Sequence, residues 1–458
     1  MRSWFGKMRQ QKLKGFTLIE SLVLLFIFAI TALAFSETYT VGTRMIIESK
    51  NRLGATALAN QKMEIIRSID YATIGTTTGI PAGDIPEYET ISVNTVNYQV
   101  HTFVQYADDV FDGQLGSTPT DAIPNDYKRV RVAVSWGAGG DDQTVSIFAN
   151  ISPEGVETSS GGGVLSINIL SIVDGGAVAL AGATVHIVNS SAGINITTAT
   201  DATGNITLPG TPAGQQNYAL TISKSGYYGT QTYPPYPTSN YNPVDEHASV
   251  VAGVVNPKTM WMNQYADITI RSQDPFTSAV PDISFHMTGG KKLGTDPDTS
   301  ASVYEYDQIL STNASGIKDI PDQSDGQYTL SESDARYQFY KLNPSGITYD
   351  VFDAPAGQTT TVDMILLDTQ IGSLKVIVTN AGDGSPVAGA TAHLTSSALG
   401  YYATTVTDQY GFAYFPQTLP ELVVGTYDLT VSAAGFADNN STVDVNGGLI
   451  TKAVNLNP

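Results

Sequence analysis

The feature that most constrains this chain lies near its N-terminus. From Ser21 to Phe35 no residue carries a charge. With Phe16–Ile19 the apolar run reaches about 20 residues, enough to cross a bilayer core of roughly 30 Å as a helix. It is interrupted only by Glu20. Arg2, Lys7, Arg9, Lys12 and Lys14 precede it with no acid among them, which predicts that this end stays cytoplasmic. A secretory signal would have a shorter apolar core and a small-x-small site after it, and Ala34-Phe35-Ser36 fits that site poorly. A carboxylate inside an apolar span costs several kcal/mol unless it is paired, so Glu20 is a candidate functional residue by position alone.

Lys14-Gly15-Phe16-Thr17-Leu18-Ile19-Glu20 resembles the type IV prepilin signature. The resemblance implies that a prepilin peptidase cuts between Gly15 and Phe16 and that the new N-terminal Phe16 is methylated. It further implies that Glu20 pairs with the α-ammonium of Phe16 on a neighbouring subunit. The physics is coherent, because cleavage creates a cation in an apolar setting and Glu20 supplies its counter-charge.

At 458 residues the chain has room for about three to four domains. Charged residues make up 14%, below the roughly 25% of typical soluble proteins. Gly (43) and Tyr (24) are abundant, which suits turn-rich extracellular β-modules. The net charge of −20 repels nucleic acid, which we exclude as a direct partner. With no cysteine, disulfides, thiol catalysis and Cys-ligated metals are impossible.

Past Phe35, Met45, Leu53, Leu58, Met63 and Ile66 recur at approximate helical spacing among polar residues. One helix from about Phe16 to Ile69, roughly 80 Å long, is expected. Residues 70–85 read as a loop. Glu89–Val96, Tyr98–Tyr106, Lys128–Trp136 and Thr144–Ile151 alternate like strands of an antiparallel sheet. The stretches Ala59–Glu64 and Pro124–Arg129 look like minor pilins of the PilV type and type II secretion pseudopilins. Residues 157–163 (ETSSGGG) read as a flexible linker.

The remainder repeats itself. Gly182-Ala183-Thr184-Val185-His186, Thr200-Asp201, Gly204, Leu208-Pro209, Tyr218, Leu220 and Gly226-Tyr227 recur as Gly389-Ala390-Thr391-Ala392-His393, Thr407-Asp408, Gly411, Phe415-Pro416, Tyr427, Leu429 and Gly435-Phe436. A divergent middle copy carries Ile283–His286, Thr312-Asn313, Gly316 and Ile320-Pro321, with an insertion after the His. Tyr337 and Gly346 are expected to close it. Each copy opens on an apolar strand (Leu165–Ile172, Ala266–Arg271, Ser373–Thr379). Its Thr-Asp/Asn-x-x-Gly segment is a tight turn, with Asp or Asn bonding backbone N–H groups and Gly supplying positive φ. Seven short strands in about 90 residues suggest a β-sandwich.

The pattern resembles carboxypeptidase regulatory-like (transthyretin-like) domains and is similar to collagen-adhesin B-type stalk domains. The latter resemblance points to a Lys–Asn isopeptide pair, here Lys375 and Asn455. However, the strand Tyr427–Ser432 lacks the acid that family uses, and the first copy lacks an opening-strand Lys, so the bond is not expected. One His per copy (His186, His286, His393) supplies too few ligands for zinc, and a strand histidine hydrogen-bonded at the sheet surface is expected. Asp174-Gly175, Asp325-Gly326 and Asp383-Gly384 lack EF-hand spacing. No nucleophile elbow, P-loop, HExxH or Rossmann fingerprint is present, so neither catalysis nor a cofactor is expected. The Tyr/Pro-rich segment 226–243 contains Tyr227, Tyr228, Tyr233, Tyr236 and Tyr241. It has two readings: packing of the joint between the first two sandwiches, or a contact loop for a surface glycan or protein.

These readings combine into an α+β pilin module, a long N-terminal helix plus an antiparallel sheet, followed by tandem all-β sandwich domains. The expected division is a leader at 1–15, the helix and head at 16–153, a linker at 154–163, and sandwiches at 164–264, 265–370 and 371–458. The expected role is that of a minor type IV pilin-like subunit, inserted in the cytoplasmic membrane and then assembled with other pilins into a surface filament. A pseudopilin of a secretion or DNA-uptake system, or a membrane-anchored adhesin outside any filament, are the alternatives.

Overall fold

The computed structural model describes residues 17–107, 125–137, 143–153, 162–173, 175–332 and 334–458. It divides into two compact units at Ser160/Gly161. The described part of the first opens with a 51-residue helix, Leu18–Ser68. Thr17 caps it: its hydroxyl accepts from the Glu20 N–H at 3.3 Å, and the Glu20 carboxylate faces the Thr17 N–H at 3.5 Å. This is a capping box.

Only the second half of the helix is packed. Ala55, Leu58, Ala59, Met63 and Ile66 fall on one face at three- and four-residue intervals and are buried against Val100, Val104, Val130, Val132 and Val134. The sheet is an antiparallel meander of Tyr88–Val93, Val96–Ala107, Tyr127–Trp136 and Thr144–Ile151. The first hairpin turns at Asn94-Thr95, both at positive φ. Val96 therefore belongs to the second strand rather than to the first. Asn tolerates that backbone, but the β-branched Thr95 hides the turn from a sequence reading. Gly54 makes room for the ring of Tyr98, whose hydroxyl donates to the Asn51 carbonyl at 3.1 Å. Trp136 Nε1 donates to Glu48 at 2.9 Å, and Lys62 meets Glu89 at 2.6 Å.

The second unit holds three successive pairs of sheets with one repeated plan. In each, the opening strand (Gly163–Val173, Ala266–Gln273, Ser373–Asn380) lies between two partners. One is antiparallel and follows the tight turn (Asn205–Thr211, Ile317–Gln323, Phe412–Phe415). The other is the closing strand, which runs parallel (Val255–Trp261, Thr359–Asp368, Leu449–Leu456). The facing sheet centres on the His-bearing strand, flanked antiparallel by its hairpin partner and by a Tyr-bearing strand. Inward residues such as Leu165, Ile167, Ile169, Val185 and Ile187 are fully enclosed. Each contributes about 1.5–3 kcal/mol by leaving water.

Three small devices recur. In the turn, the Asp201, Asn313 and Asp408 side chains each accept from two backbone N–H groups at 2.8–3.0 Å. Gly204, Gly316 and Gly411 follow at φ 74°, 72° and 73°, as expected. The buried Thr200 and Thr407 hydroxyls each accept from a backbone N–H at 2.9 Å and donate to a carbonyl at 2.6 Å. Thr312 accepts likewise from Ile283 N–H at 3.0 Å. Finally Tyr218, Tyr328 and Tyr427 are enclosed, with hydroxyls donating to the carbonyls of Pro212, Ser324 and Val423. The Tyr of the middle copy is therefore Tyr328, paired beside the His286 strand, and not Tyr337. Tyr337 lies on the other sheet, next to the closing strand. The loop after the turn differs in length between copies, which defeats counting from the Gly. The insertion after His286 lengthens a hairpin, Ser284–Thr295 with Ser302–Ser311.

Two sequence boundaries shift. Gly163 begins the first opening strand instead of ending a linker; a Cβ there would meet the Val251 carbonyl at 2.2 Å. Val255–Trp261 is the closing strand of the first sandwich, so only part of 228–262 is an elaboration.

We expect Tyr427→Phe to lower the stability of the third sandwich by about 1 kcal/mol, since one hydrogen bond is lost. Thr407→Val should cost more, about 1–3 kcal/mol, because it leaves the buried Ala390 N–H without an acceptor. Urea unfolding followed by circular dichroism checks that order.

Candidate functional site

The helix presents two environments on one rod. Leu18, Leu22, Leu25, Phe26, Phe28, Leu33 and Phe35 are each more than 60% exposed. An 18-residue window of this helix is long and apolar enough to cross a membrane, and none of it is buried in the fold. Glu20 sits in its first turn and, among the described residues, is engaged by the Thr17 cap. Gly15 and Phe16 lie outside the described residues, as do Pro124 and Asp174.

A residue that the sequence reading passed over anchors the helix-to-sheet junction. Lys128 is 1% exposed. Its ammonium donates to the carbonyls of Tyr71 at 2.7 Å and Ile74 at 2.6 Å, and it lies 4.6 Å from the Tyr71 ring centre. It thereby fixes the short 3-10 turn that follows the helix. Burial pulls its pKa down to about 8, opposed by nearby Asp70. The signal in the sequence was a Lys at an inward position of an otherwise alternating strand, YKRVRVAVSW.

In the second unit, the tyrosine-rich segment bridges the first two sandwiches. Tyr228 N–H donates to the Asn263 carbonyl at 2.8 Å, and its ring meets Tyr265 edge-on at 6.2 Å. Burial, with Glu305 beside it, raises the Tyr228 phenol to about 12. Tyr233 stacks edge-on with Tyr241 at 5.8 Å. Asn242-Pro243 adds a short strand to Gly294-Thr295 of the second sandwich. Asn263 donates to Asp325 at 2.9 Å, and Lys291 bonds Thr230. Tyr227 carries Lys224 over its ring at 5.3 Å. Tyr236 is half exposed. Four of the five tyrosines are thus held by neighbouring side chains or strands at or beside the joint, and Tyr236 is the one left facing solvent.

The joint between the second and third sandwiches is aromatic. Tyr340, Tyr349, Tyr410, Phe412 and Tyr414 pack ring against ring at 5.3–6.2 Å. Tyr340, Tyr410, Phe412 and Tyr414 border a cleft of about 610 Å³. Lys341 crosses to Asp408 at 2.7 Å. Lys375 points into the joint, with its ammonium 4.5 Å from the Phe412 ring centre and 5.3 Å from that of Tyr340. Burial lowers its pKa, against the pull of Asp408. Asn455 lies opposite Thr379, to whose hydroxyl it is bonded at 2.7 Å, while Lys375 lies opposite Thr451. The Lys375–Asn455 pair is therefore not placed to form an isopeptide bond.

The three strand histidines sit at the sheet surface beside a cross-strand partner: His186 with Asn195 at 2.6 Å, His286 with Asp307 at 2.5 Å, His393 with Thr404 at 2.7 Å. Among the described residues no three His, Asp or Glu side chains gather as metal ligands. Asp325 and Asp383 are engaged by Asn263 and by Ser385.

Residues 373–457 match the family model of the carboxypeptidase regulatory-like domain, so the third sandwich is a domain of that class. No curated protein matches the chain. Among solved structures it is similar to the TIE protein of Bacillus anthracis, at 13% identity over 82% of this chain and 74% of that one, with a TM-score of 0.20. A streptococcal ancillary pilin is 12% identical over 64% of this chain and 98% of its own, with a TM-score of 0.19. BcpA, the major pilin subunit of Bacillus cereus, is 11% identical over 65% and 99%, with a TM-score of 0.16. Likeness at this level carries no argument about function.

Lys128→Met should destabilise the first unit by about 2–3 kcal/mol, because two carbonyls lose their charged donor. Between about pH 8 and pH 9.5 the unfolded chain holds the Lys128 proton more firmly than the folded one, so stability of the wild-type unit should rise with pH. Above about pH 10 the buried Tyr98 and the half-buried Tyr106, whose phenols burial pushes up, reverse the trend. Urea titrations read through Trp136 fluorescence test both, and the variant should lack the rise.

Proposed function

We propose that this protein is a minor subunit of a type IV pilus-like surface filament. The single observation that carries the reading is the apolar stretch at residues 18–35 of the helix, left wholly uncovered by its own fold and bearing one acid, Glu20, behind a basic leader. A helix of that kind requires an apolar environment, first a bilayer and then the helices of other subunits. In this reading prepilin peptidase cuts after Gly15, Phe16 is methylated, and the Phe16 ammonium of one subunit meets the Glu20 carboxylate of another. The Glu20 acid, which in the uncut chain caps the helix through Thr17, gains a cationic partner when the leader is removed. Residues 164–264, 265–370 and 371–458 then act as three modules displayed outside the cell, with the Tyr236 surface available to a glycan or protein. Such bulk suits an occasional subunit better than the repeating one.

N-terminal mass spectrometry of the exported protein should find methylated Phe16 as the first residue. Gly15→Arg should leave the precursor uncut on a gel. Glu20→Ala should be processed yet largely lost from sheared filaments. Export with the leader intact, or unchanged incorporation of Glu20→Ala, overturns the proposal. Immunogold labelling of the envelope alone would move the protein to a pseudopilus.

A further inference from the structure

We infer that residues 162–458 form a tension-bearing tether in which each sandwich resists pulling by shear of its own first and last strands. The inference rests on strand order and register and is independent of the filament reading. In all three sandwiches the opening and closing strands are neighbours, parallel, and bonded over seven, seven and eight residue pairs. The chain enters a sandwich at the start of the opening strand and leaves at the end of the closing strand. In a parallel pair those two points lie at opposite ends. Tension therefore slides the strands past each other and loads the evenly spaced, slanted cross-strand bonds together. Had the terminal strands been antiparallel neighbours, the same tension would peel them one bond at a time.

Three further observations support this. Each opening strand is internal to its sheet, with an antiparallel partner on its other side. Sliding it would also drag enclosed side chains, Leu374, Val376 and Val378 in the third sandwich and Ile268 and Ile270 in the second, out of their cores. The connections between sandwiches are short and tied down at both ends. After Trp261, Met262 N–H bonds the Leu170 carbonyl, and Gly357 N–H bonds that of Tyr265. After Asp368, Thr369 N–H bonds the Arg336 carbonyl, and Leu449 N–H bonds that of Thr369. Pull passes from one clamp to the next with little free chain between. Because the sequence holds no cysteine and Asn455 stands opposite Thr379, neither a disulfide nor the Lys375–Asn455 cross-link carries the load. The strand registers must.

The absence of cysteine also provides the test. The full chain, held in detergent, is attached for single-molecule pulling through Ser160→Cys with Pro458→Cys, and separately through Gly382→Cys with Pro458→Cys. The first pair loads all three sandwiches end to end. The second pulls from exposed positions next to Asn380 and Leu456, which face each other at one end of the third clamp, and so peels that same pair. We expect three unfolding steps in the first geometry, and a peeling force in the second lower by about twofold or more at equal loading rate. Equal forces in the two geometries, or end-to-end extension without discrete steps, would overturn the inference.

Discussion

Each sandwich depends on one meeting, the closing strand lying down beside the opening strand. These strands are the most distant parts of their module in sequence and are hydrogen-bonded neighbours in space. Until they pair, one sheet is a strand short and its opening strand has a bare edge, a state that exposes backbone donors and acceptors to any other chain. The recurring turn, the buried Thr and the enclosed Tyr hydroxyl support that pairing locally. They hold the two sheets and the loop between them in place around the closing strand.

The first unit solves a different problem with a single helix. Its C-terminal half obeys the ordinary rule of a packed amphipathic helix, with Ala55, Ala59 and Gly54 small enough for close approach to the sheet. Its N-terminal half offers no such stripe. Apolar side chains cover every face, as in a helix meant for lipid or for other helices. Polar groups hold the packed half near both of its ends, Glu48 on Trp136 at one and Lys128 on the Tyr71 and Ile74 carbonyls beyond the other.

Much of this was legible in the residues. The helix, the four-stranded meander, the opening strands and the Thr-Asp/Asn-x-x-Gly turns follow from periodicity and from the demands of glycine and aspartate. What escaped was set by distance in space. The Asn94-Thr95 turn carries no glycine. Tyr337, expected to close the middle copy, is not the counterpart of Tyr218 and Tyr427; Tyr328 is, because the loop after the turn varies in length. The role of Lys128 depends on its strand meeting the chain after the helix, where its ammonium reaches the Tyr71 and Ile74 carbonyls. The joints were invisible for the same reason: nothing in the sequence says that Lys375 will face Tyr340, or that Asn242 will pair with Thr295. Of the N-terminal signature, Glu20 is seen in the helix cap, whereas Gly15 and Phe16 fall outside the described residues.

The unlikeness of the three copies has its own consequence. Adjacent modules in one polypeptide stand at very high mutual concentration while they fold, and identical neighbours tend to trade segments. Here the middle copy has a lengthened hairpin after His286, and the first lends its neighbour a short bridging strand, Asn242-Pro243, for which Gly294 leaves room. A strand that strays next door meets the wrong length and the wrong side chains. Divergence among the repeats thus guards the order of assembly along the chain.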